Sequence, residues 1–485
     1  MSKKSVVKNY IYNLSYQVLI LILPLVTTPY ISRVLGAENI GIYSYTLSIS
    51  AFFILFGSLG VALYGKREIA YKQKDKKKYS IVFWEIVLLR IVTMSISLII
   101  FYFALANRGD YRVYYRILIL EIIANCLDIS WFFQGLEEFK KTVVRNMVVK
   151  LISVACIFTF VKTREDLKLY FIIYVLSILI GNISLWLYLP KYLEKVKIRE
   201  LHIGKHLKQT LTLFLPQIAV EVYTLLDRTM IGIIITDKSE VGFYDQGQKI
   251  IKMLLTVITA LGTVMLPRIA YTYARGNKKK ILKYMRKSFN LVYFLSFPMI
   301  FGIISISGEF VPKFFGQGYD RVAFIMNVIS PIIFFIGMSN VIGTQYLLPT
   351  KRQKEYTISV VCGAIVNFIL NFVLISKYGA IGASIGTVVA EFTVTSVQIF
   401  FVRKDFKLRN LFVLARNYVI ASLIMFIVCL IIQNIVRKPY LSMTLQFVFG
   451  GIVYITSLIV LEDKFVYEII DRLKIKIKIR IKGSA

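Results

Sequence analysis

The stretch Tyr10-Ile11-Tyr12-Asn13-Leu14-Ser15-Tyr16-Gln17-Val18-Leu19-Ile20-Leu21-Ile22-Leu23-Pro24-Leu25-Val26-Thr27-Thr28-Pro29-Tyr30-Ile31-Ser32-Arg33-Val34 follows Lys3, Lys4 and Lys8, and its reading decides the fold. Lysines ahead of an apolar run resemble a secretory leader, whose apolar region is about 7–15 residues long. This run extends from about Ile11 to Val34, and no convincing small-residue cleavage site follows it. It is read as a retained first membrane span, because a bilayer core of about 30 Å is crossed by about 20 apolar helical residues.

The same test applied to the rest of the 485 residues yields fourteen predicted spans: 10–34, 42–64, 81–105, 113–135, 146–161, 169–189, 210–235, 243–266, 288–306, 322–348, 356–375, 380–402, 411–434 and 441–461. Composition agrees, with 57% apolar and 18% charged residues and a mean hydropathy of +0.67, which excludes a soluble enzyme. The formal charge of +33 would on its own suggest nucleic acid. Its distribution points elsewhere. With the amino terminus inside, inner segments hold 43 Lys and Arg and outer segments 13, while Arg90, Arg228, Lys249 and Lys252 lie within spans. That bias places both termini in the cytoplasm and leaves no role for nucleic acid.

The longest polar interval is the roughly 20-residue stretch after Pro190, too short for a separate domain. It lies between spans six and seven, where a linker between two halves belongs. Ile40-Gly41-Ile42-Tyr43 is echoed by Val241-Gly242-Phe243-Tyr244. Leu59-Gly60, Ile69-Ala70-Tyr71 and Lys76 to Lys78 are echoed in order by Leu261-Gly262, Ile269-Ala270-Tyr271 and Lys278 to Lys280. Six spans per half give both halves the same orientation, related by an axis along the membrane normal. The expected fold is an all-α polytopic membrane protein of 14 transmembrane helices. Two pseudo-symmetric six-helix lobes surround a central cleft, with two carboxyl-terminal helices added. The expected organisation is an N-lobe at 1–190, a cytoplasmic linker at 191–209, a C-lobe at 210–402, spans thirteen and fourteen at 403–462, and a basic cytoplasmic tail at 463–485. The alternating Lys474 to Lys482 of that tail is expected to lie on anionic lipid.

Cys126, Cys156, Cys362 and Cys429 fall in apolar stretches without CxxC spacing, so neither a disulfide framework nor a metal site is expected. His202 and His206 have the i, i+4 spacing of a metal pair but no further ligand nearby, and a solvated helix face is the simpler reading. Charges inside spans are more informative, since each costs about 2.5–3.5 kcal/mol at bilayer depth on insertion scales and faces a cavity or a partner. Span three carries Glu85 and Arg90, span four Arg116, Glu121 and Asp128, span seven Glu221, Asp227 and Arg228, and span eight Asp245, Lys249 and Lys252. The last three follow i, i+4, i+7 and share one helix face. Two readings stand for Glu85 with Arg90 and for Asp227 with Arg228: structural ion pairs, or groups lining a cleft. Arg33, Arg90, Arg116, Arg228, Lys249 and Lys252 are the candidate substrate-binding residues, suited to a phosphate or pyrophosphate. Pro24, Pro29, Pro216 and Pro331 interrupt spans, as hinges or as static kinks.

The run Pro24 to Tyr43, with Thr27-Thr28-Pro29-Tyr30, Ser32-Arg33 and Leu35-Gly36-Ala37-Glu38-Asn39, resembles the opening signature of polysaccharide repeat-unit flippases of the Wzx type. These belong to the superfamily that includes MATE exporters and the lipid II flippase. Tyr378-Gly379-Ala380-Ile381-Gly382-Ala383-Ser384-Ile385-Gly386-Thr387 is similar to the family's Gly-rich approach to span twelve. The resemblance implies export of an undecaprenyl-diphosphate-linked oligosaccharide repeat unit from the inner to the outer leaflet of a bacterial plasma membrane by alternating access, for capsule or other surface polysaccharide. No bond is made or broken, and no cofactor is expected. Asp128, Glu121, Glu221 and Asp245 are the candidate groups for coupling to H+ or Na+. Membrane lipids and enzymes of the same pathway are the other expected partners, and a monomer is the expected state. Two alternatives stay open. A MATE-like drug or metabolite exporter calls for an acidic rather than a basic cleft, and a membrane polymerase or glycosyltransferase calls for a larger outer loop than the roughly 15 residues available here.

Overall fold

A computed structural model of the chain describes residues 3–405, 408–468 and 470–471. The basic run Lys474 to Lys482 lies outside the described residues. Those residues form helices and no strand, and twelve helical stretches among them are long and apolar enough to cross a membrane. The twelve do not map one to one onto the fourteen predicted spans, because Val18–Lys72 takes in both 10–34 and 42–64 and predicted span 210–235 is not among the twelve. Contacts divide the chain into two compact units, Met1–Gly242 and Phe243–Ala485.

The first unit begins with α1, Lys3–Ser58, in which Pro24 and Pro29 sit without interrupting the helix. The interruption comes at Gly36, whose φ of 79° and ψ of 168° separate two helical segments. A side chain there would be strained, so glycine sets the break. Then follow α2 (Val61–Lys72), α3 (Lys76–Phe101), α4 (Arg112–Cys126), α5 (Ser130–Gly135), α6 (Phe139–Phe160), α7 (Leu167–Trp186), the short α8 (Leu189–Tyr192) and α9 (Gly204–Ile234). The predicted span 113–135 is two helices rather than one. The break at Leu127–Ile129 holds Asp128, whose Oδ1 accepts the Ser130 N–H at 2.9 Å in a local turn at the start of α5. Helix α9, which covers predicted span seven, packs on α1, α2 and α3. An apolar knot of Tyr64, Ile69, Phe83, Trp131, Phe132 and Leu185 ties α2, α3, α5 and α7 together at one end. Elsewhere this unit exposes Ile99, Phe103, Leu151, Ile152 and Ile180, as lipid-facing surfaces do.

The second unit contains most of α10 (Ser239–Ala274), then α11 (Lys278–Phe314), α12 (Asp320–Ile329), α13 (Ile332–Ser339), α14 (Gln353–Tyr378), α15 (Ala380–Val402), α16 (Leu408–Ile435) and α17 (Pro439–Val460). Pro331 falls between α12 and α13, where its missing N–H ends the ladder. Helices α14 and α15 pair closely, as do α16 and α17, and α16 also packs on α11. The lysine triplets of the sequence repeat occupy the same local structure in both units. Asp75 Oδ1 accepts the Lys78 N–H at 3.0 Å to cap α3, and Asn277 Oδ1 accepts the Lys280 N–H at 3.0 Å to cap α11.

Candidate functional site

In the first unit the most buried carboxylate is Glu85, which the apolar face of α3 carries into the interior at 0% exposure. It is not paired with Arg90, which corrects the ion-pair reading of those two. Its oxygens accept from Lys205 Nζ at 2.6 Å, His206 Nε2 at 2.8 Å and the His202 N–H at 2.7 Å. His206 is therefore buried, at 2% exposure, and not on a solvated face; His202 is exposed. The Nδ1 of His206 lies 2.6 Å from the Tyr64 hydroxyl, which donates to Gln209 Oε1 at 2.9 Å. Burial holds the His206 imidazole below its ordinary value, with the Glu85 carboxylate pulling the other way. Among the described residues no group of three His, Cys, Asp or Glu side chains has the geometry of a metal site.

Arg90 is also buried, at 4% exposure, and its Nη1 donates to the Asp128 carbonyl at 3.0 Å. The backbone opened by the α4–α5 break thus receives a guanidinium. Glu121, 6% exposed on α4, is held by two hydroxyls: Ser50 Oγ donates to Oε2 at 2.9 Å and Tyr174 Oη to Oε1 at 3.0 Å. Tyr43 packs beside this group, its ring tilted against Tyr170 with centroids 4.7 Å apart and edge-on to Tyr174 at 5.7 Å. A carboxyl buried among hydroxyls and rings, with no cation in an ion pair with it, can carry a proton or a small cation without collapsing into a salt bridge. Beyond these, Arg33, Arg116 and Glu221 are exposed, Arg228 is half-buried and Asp227 is buried. Arg116 Nε donates to the Ala106 carbonyl at 3.1 Å across the α3–α4 connection.

The first unit also has an open-sided cavity of about 450 Å³ between α1, α6 and α7. Tyr16, Arg145, Asn146, Lys150 and Asn182 are among its lining residues. None of the sequence-predicted site residues lines it. Arg145 and Lys150 fall in the Lys- and Arg-rich stretch 140–150, so the sequence shows their charge but not the cavity beside them.

In the second unit, Asp245 and Lys249 form an i, i+4 ion pair at 3.6 Å, and Lys249 Nζ also donates to Gln246 Oε1 at 3.3 Å. Asp245 is buried while Lys249 and Lys252 are half-buried. The same helix face continues with Gln248, whose Nε2 donates to the Tyr244 hydroxyl at 2.8 Å, and Tyr244 lies 3.0 Å from Thr387 Oγ1 on α15. Neutral amides and Glu391 escaped the charge-based search. Asn367, Asn371, Gln398 and Glu391 are all buried in α14 and α15. Amide side chains inside apolar runs are the signal for Asn367, Asn371 and Gln398, and a carboxylate inside predicted span 380–402 is the signal for Glu391.

Comparison with known proteins follows the same lines. Residues 6–273 match the family described as polysaccharide biosynthesis protein, and residues 213–373 match the MatE family. A putative O-antigen transporter of Escherichia coli (strain K12) is 26% identical over 411 residues, covering 83% of this chain and 98% of that protein. The capsular polysaccharide biosynthesis protein CapF of Staphylococcus aureus is 22% identical over 409 residues, covering 82% of this chain and 100% of the relative. Among solved structures, the lipid II flippase MurJ in an inward closed conformation superposes with a TM-score of 0.75 at 15% identity, over 94% of this chain and 99% of that one. At that identity the likeness is one of fold. With more than half of its length matched, the all-helical membrane chain belongs to the polysaccharide biosynthesis protein family.

Proposed function

We propose that this protein is a flippase for lipid-linked oligosaccharide, moving undecaprenyl-diphosphate-linked repeat units from the cytoplasmic to the outer leaflet for surface polysaccharide. The observation that carries the reading is the end-to-end similarity to a putative O-antigen transporter, 98% of which is covered. Twelve membrane-length helices and no polar domain among the described residues suit a transport step in which no bond is made or broken. The excess of Lys and Arg on one side supports a bacterial plasma-membrane location with both termini in the cytoplasm. The sequence repeat, with its matching caps at Asp75 and Asn277, supports two halves at 1–190 and 210–402.

In this reading the diphosphate is held by cations, and Arg90, Arg228, Lys249 and Lys252 are the candidates that lie well inside predicted spans. Arg33 and Arg116, being exposed, serve as outer ones. Glu121 and Asp245 are the buried acids available for coupling to H+ or Na+, whereas Asp128 is engaged in a local turn at the start of α5 and Glu221 is exposed. Two negative charges moving outward gain about 2.3 kcal/mol each per 100 mV of inside-negative potential, so a modest coupling suffices. A second reading, a MATE-like exporter, has the match over residues 213–373 in its favour and the basic balance of the chain against it.

Deletion of the gene tests the proposal. Lipid-linked repeat units should accumulate on the cytoplasmic face while their synthesis continues. Normal surface polymer in the deletion strain would reject the flippase reading, and absence of the lipid-linked precursor would indicate synthesis instead.

A further inference from the structure

We propose that the cavity between α1, α6 and α7 is a binding site for the phosphate of an anionic lipid, with Arg145 and Lys150 as its cationic partners. The proposal depends on the flippase reading only in taking a polyprenyl diphosphate as one of its two sources of phosphate.

The argument starts with the depth of the two cations. Arg145 and Lys150 lie six and eleven residues past Phe139, the start of α6, so at 1.5 Å per residue they sit about 9 Å and about 17 Å along the helix. Cations at such positions are retained when they face a partner or a polar space. No ion pair joins either of them to a carboxylate among the described residues, and Asp128 acts on Arg145 only through space. Both line the cavity instead.

The guanidinium is also held in place. Arg145 Nη1 donates to Asn182 Oδ1 at 2.8 Å, and Asn182 is itself fixed by donating from Nδ2 to the Ala124 carbonyl at 2.7 Å. Asn182 is 7% exposed, so this anchor is internal. Arg145 Nε is buried and has no hydrogen-bond partner among the described residues. A guanidinium fixed beside the cavity is matched by a phosphate, which accepts its remaining N–H groups, while the exposed Lys150 supplies a movable point charge. A cavity of about 450 Å³ has room for a diphosphate. The walls indicate that the ligand carries a tail. Ile20 lines the cavity and is 36% exposed, and the same helices expose Val18, Ile22, Val148 and Leu151. A soluble anion has no use for that rim. A phosphorylated lipid places its chain along it.

The test uses the full-length protein in phosphatidylcholine nanodiscs, titrated with undecaprenyl diphosphate, phosphatidylglycerol, inorganic pyrophosphate and undecaprenol. Arg145→Gln, Lys150→Gln and the double variant are compared with the wild type. The expected result is binding of phosphate-bearing lipid, weakened about tenfold by each single substitution, equivalent to about 1.4 kcal/mol, with pyrophosphate weaker than the lipids and undecaprenol not bound. The tighter of the two lipids identifies the source. Unchanged affinity in a double variant that keeps the wild-type melting temperature overturns the proposal. So does equal binding of undecaprenol, or binding of no phosphate at all. Should Arg145→Gln fail to fold, Lys150→Gln decides, because Lys150 makes no hydrogen bond whose loss would disturb the fold. Binding is read independently of transport. A wild-type protein that binds the lipid but exports nothing removes the flippase reading and leaves the site, whereas a variant that binds as well as wild type in a working flippase removes the site alone.

Discussion

Gly41 and Gly242 lie back to back: a Cβ on either would come within 3.1 Å of the other's backbone nitrogen. The same Cβ would stand 1.6 Å from the Lys238 carbonyl oxygen for Gly41, and 2.2 Å from the Ala37 carbonyl oxygen for Gly242. These are the two glycines of the repeated Ile40–Tyr43 and Val241–Tyr244 motifs. The repeat therefore records a contact as well as a duplication: each copy supplies the small residue that lets the other's backbone approach.

Gly41→Ala and Gly242→Ala are expected to destabilise the protein by about 3 kcal/mol or more, at the upper end of overpacking costs, since backbone rather than a flexible side chain must move. Melting of the detergent-solubilised protein checks this. Wild-type melting temperatures in both variants would show that the close approach is not required.

Glu85 accepts three hydrogen bonds without solvent, so removing it leaves Lys205 and His206 uncompensated. Glu85→Ala should cost about 1–3 kcal/mol, the range for leaving buried hydrogen-bonding groups unpaired, because Lys205 can still reach solvent. Its readout is loss of folded protein from membranes, with Glu85→Gln less severe because the amide oxygen still accepts.

The pH dependence of the same cluster follows from His206. Its folded value lies below the ordinary 6.5 because burial outweighs the pull of Glu85, with Lys205 and Lys72 acting in the same direction as burial. The unfolded chain then binds more protons in the window just below 6.5, and stability rises with pH there. The contribution is fully present above about 6.5 and is lost as pH falls towards the lowered folded value. Melting temperatures across that window should slope upward with pH in the wild type and flatten in His206→Asn. An unchanged slope in the variant would assign the dependence to other groups.

Glu121 is held by Ser50 and Tyr174 rather than by a cation. Tyr174→Phe should cost about 1–3 kcal/mol through a buried acceptor left unpaired. Glu121→Gln should preserve membrane levels while removing the response of export to an imposed proton or sodium gradient. Export that still follows the gradient would exclude Glu121 from coupling.

How much of this was legible in the sequence depends on the range of the interaction. Helix positions follow from apolar run length, and the i, i+4 spacing of Asp245 and Lys249 was readable as a shared face because both sit on one helix. The partners of Glu85 lie 117 to 121 residues away, and no local pattern could have distinguished them from nearby Arg90. His206 was misread because its neighbours Lys205 and Lys208 are basic, which suggested solvent, while the burial comes from Tyr64 and Glu85 on other helices. Asp128 looked like a charge inside a span until the helix broke around it. The cavity at Arg145 was hidden for the same reason as His206: a basic segment hid the residues that turn inward.

The central claim is that the protein carries a phosphorylated glycolipid between leaflets. It is tested most directly by reconstituting the purified chain in vesicles that hold a fluorescent undecaprenyl-diphosphate oligosaccharide and following the fraction of label accessible to a membrane-impermeant quencher. Under an imposed potential, label should cross at a rate that increases with the amount of protein and is reduced in Lys249→Ala and Lys252→Ala variants. Transfer no faster than in protein-free vesicles would contradict the account.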